Sequence, residues 1–470
     1  PAPFAGMDRF AARKAIVAAL EARGQLVSVR PHVANPARCQ RSNDILEPRL
    51  RTQWFIKTAP LAAKALAATR AGKTRIIPAH FEKTWEHWLT EIRDWNVSRQ
   101  LWWGHRIPAW YCADGHITVT AAERGPEGCA TCGADGASLA QESDIFDTWF
   151  SSGLWPFSTL GWPDRTADLA RFYPSQVMET GHDILFFWVA RMMMLGIELM
   201  GEPPFETVYL HGMVRDPEGQ KMSKTKGNVV DPLSVIDEIG ADALRFALVA
   251  GTAPGADQRL SPEKLESARN FVNKLWNAAR YVLGARPEEA SGARTRRDEI
   301  VAAAGVFGAW IVARRNRAVA DVERSIAGYG FSEAAQRIYD AIWAEYCDES
   351  IEIAKVTLGD ATRPAAERVA VWWLLVDALD TYLRLLHPIA PFVTEEIWSA
   401  LPHDSDDASL LALAAWPAVD PESVRSGDGS DAVEAVDRWL DLVREVRAAR
   451  TAARLPASAW LPLAVRAPEA

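Results

Sequence analysis

The spacing of hydrophobic and polar positions changes twice along the chain. "MDRFAARKAIVAALEARG" (7–24) has apolar residues at helical spacing with Gly24 as a stop signal, and "QLVSVRPHV" (25–33) predicts a strand after it. Between about 51 and 240, β-rich runs such as "TRIIP", "QVMET" and "TVYLHGMV" alternate with helical patterns such as "DILFFWVARMMMLGIEL". That alternation predicts a parallel α/β sheet. From about 262 onward the pattern becomes long amphipathic segments and strand signals almost vanish, which predicts an all-α bundle of four or five helices. An acidic, Gly/Ser-containing stretch from His403 predicts a surface loop before a last helix, "AVEAVDRWLDLVREVRAARTAAR".

Composition narrows this picture only a little. At 470 residues, 49% hydrophobic and 24% charged, the chain is globular and large enough for two to four structural units. A net charge of −9 excludes a surface built for indiscriminate nucleic-acid binding, while leaving room for a local basic face. No run approaches the roughly eighteen apolar residues of a membrane span, so no membrane partner is expected. Five cysteines, an odd number, do not read as a disulfide framework, and a reducing, cytoplasmic setting is expected. The start, "PAPFAGMDRFAARK", has neither an initiator methionine nor a signal-peptide hydrophobic region, so the chain is expected to be cut from a longer one.

The chemistry concentrates between 93 and 232. "KMSKTKGNVVDP" (221–232) packs lysines, Ser223, Thr225 and Gly227 into one loop, which by itself reads as a solvated turn. Its context favours a phosphate-facing role. The strand pattern "TVYLHGMV" runs straight into it, and the carboxyl ends of strands are where α/β sheets bind ligands. Lysine ammonium groups between Gly219 and Gly227, two candidate hinges, suit negative charge that develops late in a reaction. A second cluster, Cys112 and His116 with Cys129 and Cys132, has the composition of a tetrahedral zinc knuckle; the alternative is a loop with free thiols.

"KMSKT" resembles the KMSKS signature of class I aminoacyl-tRNA synthetases, with Thr225 in the final serine position. "RDWNVSRQLWWGHRIPAWY" (93–111), "DIFDTWFSSGLWPFSTLGWP" (144–163), "TGHDILFFWVARMMM" (180–194), "GADALRF" (240–246), "NFVNKLWNAARYVL" (270–283) and "HPIAPFVTEEIW" (387–398) resemble the valyl branch of that family. The resemblance covers nearly the whole chain. It implies the second half of a Rossmann-like parallel sheet with insertions, followed by an all-α anticodon-binding bundle. The implied division is an editing-domain tail at 1–50, a catalytic half-domain at 51–240 with the knuckle at 110–143, a stem-contact region at 241–275, the bundle at 276–425, and a linker helix at 426–470 leading to a coiled coil.

The implied activity is ATP-dependent activation of L-valine and its transfer to tRNA(Val), by an enzyme that is a monomer at full length. A tRNA- and ATP-binding module without ligase activity, or an isoleucyl-type synthetase, are the alternatives. Residue by residue, Lys221 and Lys224 would hold the triphosphate and steady the charge developing at the α-phosphorus, with Met222 and Ser223 shaping the loop. Gly181 would let the backbone approach the nucleotide, and Asp183 would accept hydrogen bonds from the ribose hydroxyls. Thr180 and Ile184 would flank the adenylate, and His211 and Gly212 would lie beside the adenine. Trp103 and Trp188 would wall the amino-acid pocket, although core packing explains a tryptophan equally well in a chain with twenty. ATP brings Mg²⁺ with it, and the knuckle would hold a structural Zn²⁺.

The departures are specific. None of the nine histidines sits in the His-x-Gly-His signature that the family places at the start of its nucleotide fold. The first half of that fold, most of the editing domain and the C-terminal coiled coil are expected to lie outside this chain, leaving it inactive alone. "NPARCQRSNDILEP" (35–48) and Asn96 also differ from the family pattern. Arg314, Arg315 and Arg317, or Arg444, Arg447 and Arg450, are either phosphate contacts or solvated helix faces.

Overall fold

The computed structural model describes residues 2–39, 42–47, 50–222, 227–290, 297–404, 407–419, 428–456, 459–460 and 462. The chain divides into two compact units, Pro1–Trp54 and Phe55–Ala470. In the first, helix α1 (Arg9–Ala22) starts at Asp8, whose carboxylate accepts from the N–H groups of Phe10 and Ala11 at 2.9 and 3.2 Å. The strand expected at 25–33 does not form. Val27 and Val33 are each 98% exposed in extended chain, and the only pairing nearby among the described residues is the bridge between Arg38 and Ile45. Apolar alternation alone makes no strand where nothing pairs with it.

The second unit begins with the α/β layer that the sequence predicts. Strands β1 (Arg75–Ile77), β2 (Ser175–Gly181) and β3 (Phe205–His211) form a parallel sheet in the order β1-β3-β2. Helices α2 (Ala59–Arg70), α3 (Phe81–Thr90) and α4 (Ala190–Met200) supply much of its apolar cover. Buried Ala65, Trp85, Leu185, Met192, Met193, Val208 and Leu210 form the shared core. Along β3 both faces are covered: Val208 and Leu210 are buried on one and Phe205 and Thr207 on the other, while Glu206 near its start and His211 at its end are exposed. Three of the recognised motifs meet beside this sheet around Asp147 and Trp95. Its carboxylate accepts from the Trp95 indole at 2.9 Å and pairs with Arg99 at 2.8 Å, while the Arg191 guanidinium lies 4.1 Å over the Trp95 ring.

The segment 231–248, which reads as a single helix, is two. Helix α5 (Pro232–Ile239) is capped by Asp231 and ends at Gly240, whose φ of +89° breaks the helix before α6 (Ala241–Val249) begins. Helix α7 (Pro262–Gly284), capped by Ser261, then leads to the bundle. The bundle is built on α8 (Arg297–Ala327, kinked at Gly305), α9 (Phe331–Asp340), α10 (Ile351–Leu358), α11 (Ala365–Leu386), α12 (Pro391–Ser399) and α13 (Asp428–Ala452). A π-helical stretch, Ala341–Ser350, joins α9 to α10. Trp310, Trp372 and Trp398 are fully buried, and each indole N–H is paired: with Asp437, with the Val282 carbonyl and with Asp380.

The bundle also explains two motifs. Buried Asp242, in α6, accepts from the N–H groups of Phe392 and Val393 at 3.2 and 2.6 Å and so caps α12. Three residues on, Arg245 donates to the carbonyls of Ile389 and Pro388 at 2.8 and 3.0 Å. "GADALRF" and "HPIAPF" are thus two halves of one joint between the α/β layer and the bundle. Arg314 and Arg315 are turned inward. Arg315 is buried against Asp377, and Arg314 pairs with Asp437 and Glu345, which leaves neither guanidinium free for phosphate.

Candidate active site

Parallel pairing sets the site's geometry. His211 lies in register with Gly181 and Leu210 with buried Thr180, so β2 and β3 end flush at the carboxyl edge of the sheet. After Gly181 the chain turns through His182–Ile184 into a π-helical turn, Leu185–Val189, before α4. Gly181 has no room for a side chain: a Cβ there would stand 2.9 Å from the Asp183 carboxylate and 3.5 Å from the His211 ring. Gly212 is tighter still, with a Cβ position only 1.8 Å from the Ala256 carbonyl oxygen. At Gly212 glycine allows one backbone to lie against another, while at Gly181 it lets the Asp183, His211 and Met213 side chains close on the chain.

The loop that follows leaves β3 through Val214–Arg215, which pairs in parallel with Gln258–Arg259. Its base is organised by buried Asp216. That carboxylate accepts from the Gln220 N–H at 2.6 Å and from the Asn228 amide at 2.7 Å, tying the residues on either side of the loop together. Gly219 (φ +81°) and Gly227 (φ +67°) both take left-handed conformations that other residues resist. Lys221 emerges with its ammonium 3.7 Å from the Asp183 carboxylate, and Met222 packs its sulfur 3.5 Å from the Val230 N–H. Ser223, Lys224 and Thr225 lie outside the described residues. The Lys221–Asp183 pair is well exposed, and such pairs contribute only about 0–1 kcal/mol, so it separates at little cost.

The other expected residues divide. His211 is half-exposed; its Nε2 lies 3.1 Å from Glu179, and its ring borders a groove of about 400 Å³ that reaches Phe331 and Ser332 of the bundle. Ile184 is half-buried at the turn. Trp188 packs on the sheet core and donates to the Ser152 carbonyl at 3.2 Å. Trp103 is 93% exposed and forms no pocket wall in this arrangement; the neighbouring Gly104 backbone lies against the Ile145 side chain.

Sequence reasoning missed Asp257. Its carboxylate accepts from the Met213 N–H at 2.7 Å and from Arg215 Nε at 2.6 Å, and lies 3.1 Å from His182 Nε2. The Met213 N–H first, then His182 and Arg215, hold its pKa at about 2 despite the opposing effect of burial. A lone aspartate in "GTAPGADQ" carries no sequence signal; only the fold brings it under the loop.

In the insertion, the strands Ala109–Tyr111, Ile117–Val119 and Ala140–Gln141 form a small antiparallel sheet that presents the second cluster. The donor atoms of Cys112, His116, Cys129 and Cys132 all lie within 4.8 Å of one another. The Cys112–Cys132 sulfurs are 3.9 Å apart, and Cys112 Sγ lies 3.4 Å from His116 Nδ1. Tetrahedral zinc with ordinary bond lengths needs about 3.8 and 3.6 Å respectively, so the donor set fits the ion. The backbone N–H groups of Cys132 and Thr131 lower the Cys129 thiol to about 6, which favours the ligating thiolate. Cys132 is raised: its hydrogen bond from Ala134 favours the thiolate, but the nearby Cys129 and Cys112 sulfurs outweigh it.

Comparison with known proteins follows the same division. Residues 37–261 match the family described as tRNA synthetases class I (I, L, M and V), and residues 308–465 match the anticodon-binding domain of tRNA ligase. The fold is shared with a LeuRS from Agrobacterium radiobacter solved as a ternary complex with tRNA and LeuAMS (TM-score 0.56, 22% identity, 71% of this chain and 43% of that one). It is also shared with methionyl-tRNA synthetase from Mycobacterium tuberculosis solved with methionyl-adenylate (TM-score 0.57, 18% identity, 77% and 65%). The chain belongs to the class I tRNA synthetases. Within them it is similar to valine–tRNA ligases, with 50% identity over 401 residues to that of Dehalococcoides mccartyi, covering 85% of this chain and 44% of the relative. The Solibacter usitatus enzyme is 46% identical over 445 residues, covering 95% and 49%. The chain thus spans about half the length of the curated relatives it matches.

Proposed function

We propose that the chain supplies the ATP-side half-site and the anticodon-binding bundle of a valine–tRNA ligase. The observation that carries this reading is the meeting of Gly181, Asp183, His211, Gly212 and Lys221 at the flush ends of two parallel strands. In the reaction, a carboxylate oxygen of L-valine attacks the α-phosphorus of ATP, the bond to the β-phosphate breaks, and Mg²⁺-bound pyrophosphate leaves. A terminal ribose hydroxyl of tRNA(Val) then attacks the valyl carbonyl and releases AMP.

Asp183 accepts from the ribose hydroxyls, and the nucleoside lies across the flush strand ends that carry Gly181 and Gly212. Lys221 moves from Asp183 to the phosphates, and Lys224 acts with it as charge builds on the departing pyrophosphate. Thr180 and Ile184 border the adenylate, with Trp188 behind them. Cys112, His116, Cys129 and Cys132 hold a structural Zn²⁺ that closes the insertion and takes no part in the chemistry.

The test is valine-dependent exchange of labelled pyrophosphate into ATP, run on the complete gene product that carries this sequence. Valine-dependent exchange, together with charging of tRNA(Val), is the expected result. Exchange driven by isoleucine, or by no amino acid, overturns the reading.

A further inference from the structure

Asp257 touches both elements that the proposed site assembles, yet it belongs to neither. One carboxylate oxygen takes the Met213 N–H, the first residue past Gly212, and lies 3.1 Å from His182, which is set between Gly181 and Asp183. The other oxygen is held by both Arg215 Nε and the neighbouring guanidinium nitrogen, on the strand leading into the lysine loop. The backbone on either side of Asp257 is fastened to the same strand. Gln258 N–H donates to the Met213 carbonyl at 3.0 Å, Leu260 N–H donates to the Arg215 carbonyl at 3.1 Å, and Gly212 lies flush against Ala256. His182 is fixed from its other side by the Phe81 ring, 5.6 Å away and nearly parallel.

Among the described residues the two half-sites are otherwise joined at this edge by the strand register, with its exposed His211–Glu179 pair, and by the exposed Lys221–Asp183 pair. The first of these ends at His211. The second must open for substrate to enter.

On the basis of the ligase reading, we infer that Asp257 is a positioning residue: through His182 and Arg215 it fixes the separation between the ribose-binding turn at 181–184 and the base of the phosphate loop at 213–215. It touches no reacting atom. Its effect falls on how well one ATP molecule spans both half-sites, and the valine side lies outside its reach. Removing it frees His182 and Arg215 together, so the turn and the loop base drift independently. Misplacement on the scale of an ångström typically costs about 100-fold in rate.

The experiment is pyrophosphate exchange with the complete gene product and its D257N, H182Q and D257N/H182Q variants, each corrected for the fraction of folded sites by titration with labelled valine. The expected result for D257N is a rise of about tenfold or more in KM for ATP and a fall in kcat, with KM for valine within about twofold of the parent. H182Q is expected to reproduce part of that loss, and the double variant to be no worse than D257N, because both changes break the same connection. Asp257→Glu, which keeps the charge, is expected to recover part of the ATP affinity. ATP parameters unchanged in D257N, or equal losses for ATP and valine, overturn the inference and leave the ligase reading intact. An unsubstituted protein without exchange overturns both.

Discussion

Gly212→Ala is the sharpest perturbation that the structure offers, because what it displaces is backbone on both sides. The new Cβ would stand 1.8 Å from the Ala256 oxygen, 2.1 Å from its carbonyl carbon and 2.5 Å from the Asp257 nitrogen. Ordinary contact begins near 3.4 Å, so the two segments must part by about 1.6 Å. That is enough to break the bonds from Gln258 N–H to Met213 and from Leu260 N–H to Arg215. Two such bonds at about 1 kcal/mol each, with about 1–3 kcal/mol for overpacking, give a local cost of about 3–5 kcal/mol. Hydrogen exchange read by mass spectrometry on the peptide spanning 256–262 measures this directly. A loss of 3 kcal/mol corresponds to more than about 100-fold faster exchange at those amides. Gly284→Ala is the matched control: a Cβ there meets nothing within 4 Å, and about 0–1 kcal/mol of stabilisation is expected. Protection at Gln258 and Leu260 within threefold of the parent would refute the close packing of 212 on 256.

The remaining expectations concern other parts of the molecule. The chain purified without chelator should hold one zinc per molecule by elemental analysis, and Cys112→Ser or Cys132→Ser should lose it; full occupancy in both variants would place the metal elsewhere. Asp242→Ala leaves the N–H groups of Phe392 and Val393 uncapped in a buried joint, so chemical denaturation should show a loss of about 1–3 kcal/mol in the bundle transition. No change there would mean that the cap carries no stability. Asp257, with a folded pKa of about 2 against an unfolded value of about 4, stabilises its contacts above pH 4; protection of the Met213 amide should therefore fall as the pH drops from about 4 through about 2, and a flat profile would show the carboxylate to be dispensable.

Period and motif carried much of this in advance. The alternation of β-rich and helical runs marked out the three parallel strands, and the 3.6-residue spacing marked the bundle, because both depend on residues close together in sequence. What depended on distant partners was not legible. The strand at 25–33 had the pattern of one but nothing to pair with, and Gly240 split a helix through its positive φ. Gly181, Asp183, His211 and Lys221 were findable because they sit inside long recognisable stretches. Asp257 was not, since its three partners come from 42 to 75 positions earlier in the chain. The cysteine–histidine spacing allowed a zinc site or a loose loop, and it could not give the distances between the donor atoms, which fit a metal ion.

The flush register of His211 with Gly181 also limits how this chain can change over evolutionary time. A substitution in β3 alters one side chain and leaves its neighbours in place. Inserting or deleting a single residue instead moves every position beyond it to the opposite face, so that the Val208 and Leu210 positions exchange with those of Thr207 and Tyr209 and His211 loses its register with Gly181. The strand can therefore drift in composition while its length stays fixed, and length variation among relatives should collect in the connections on either side.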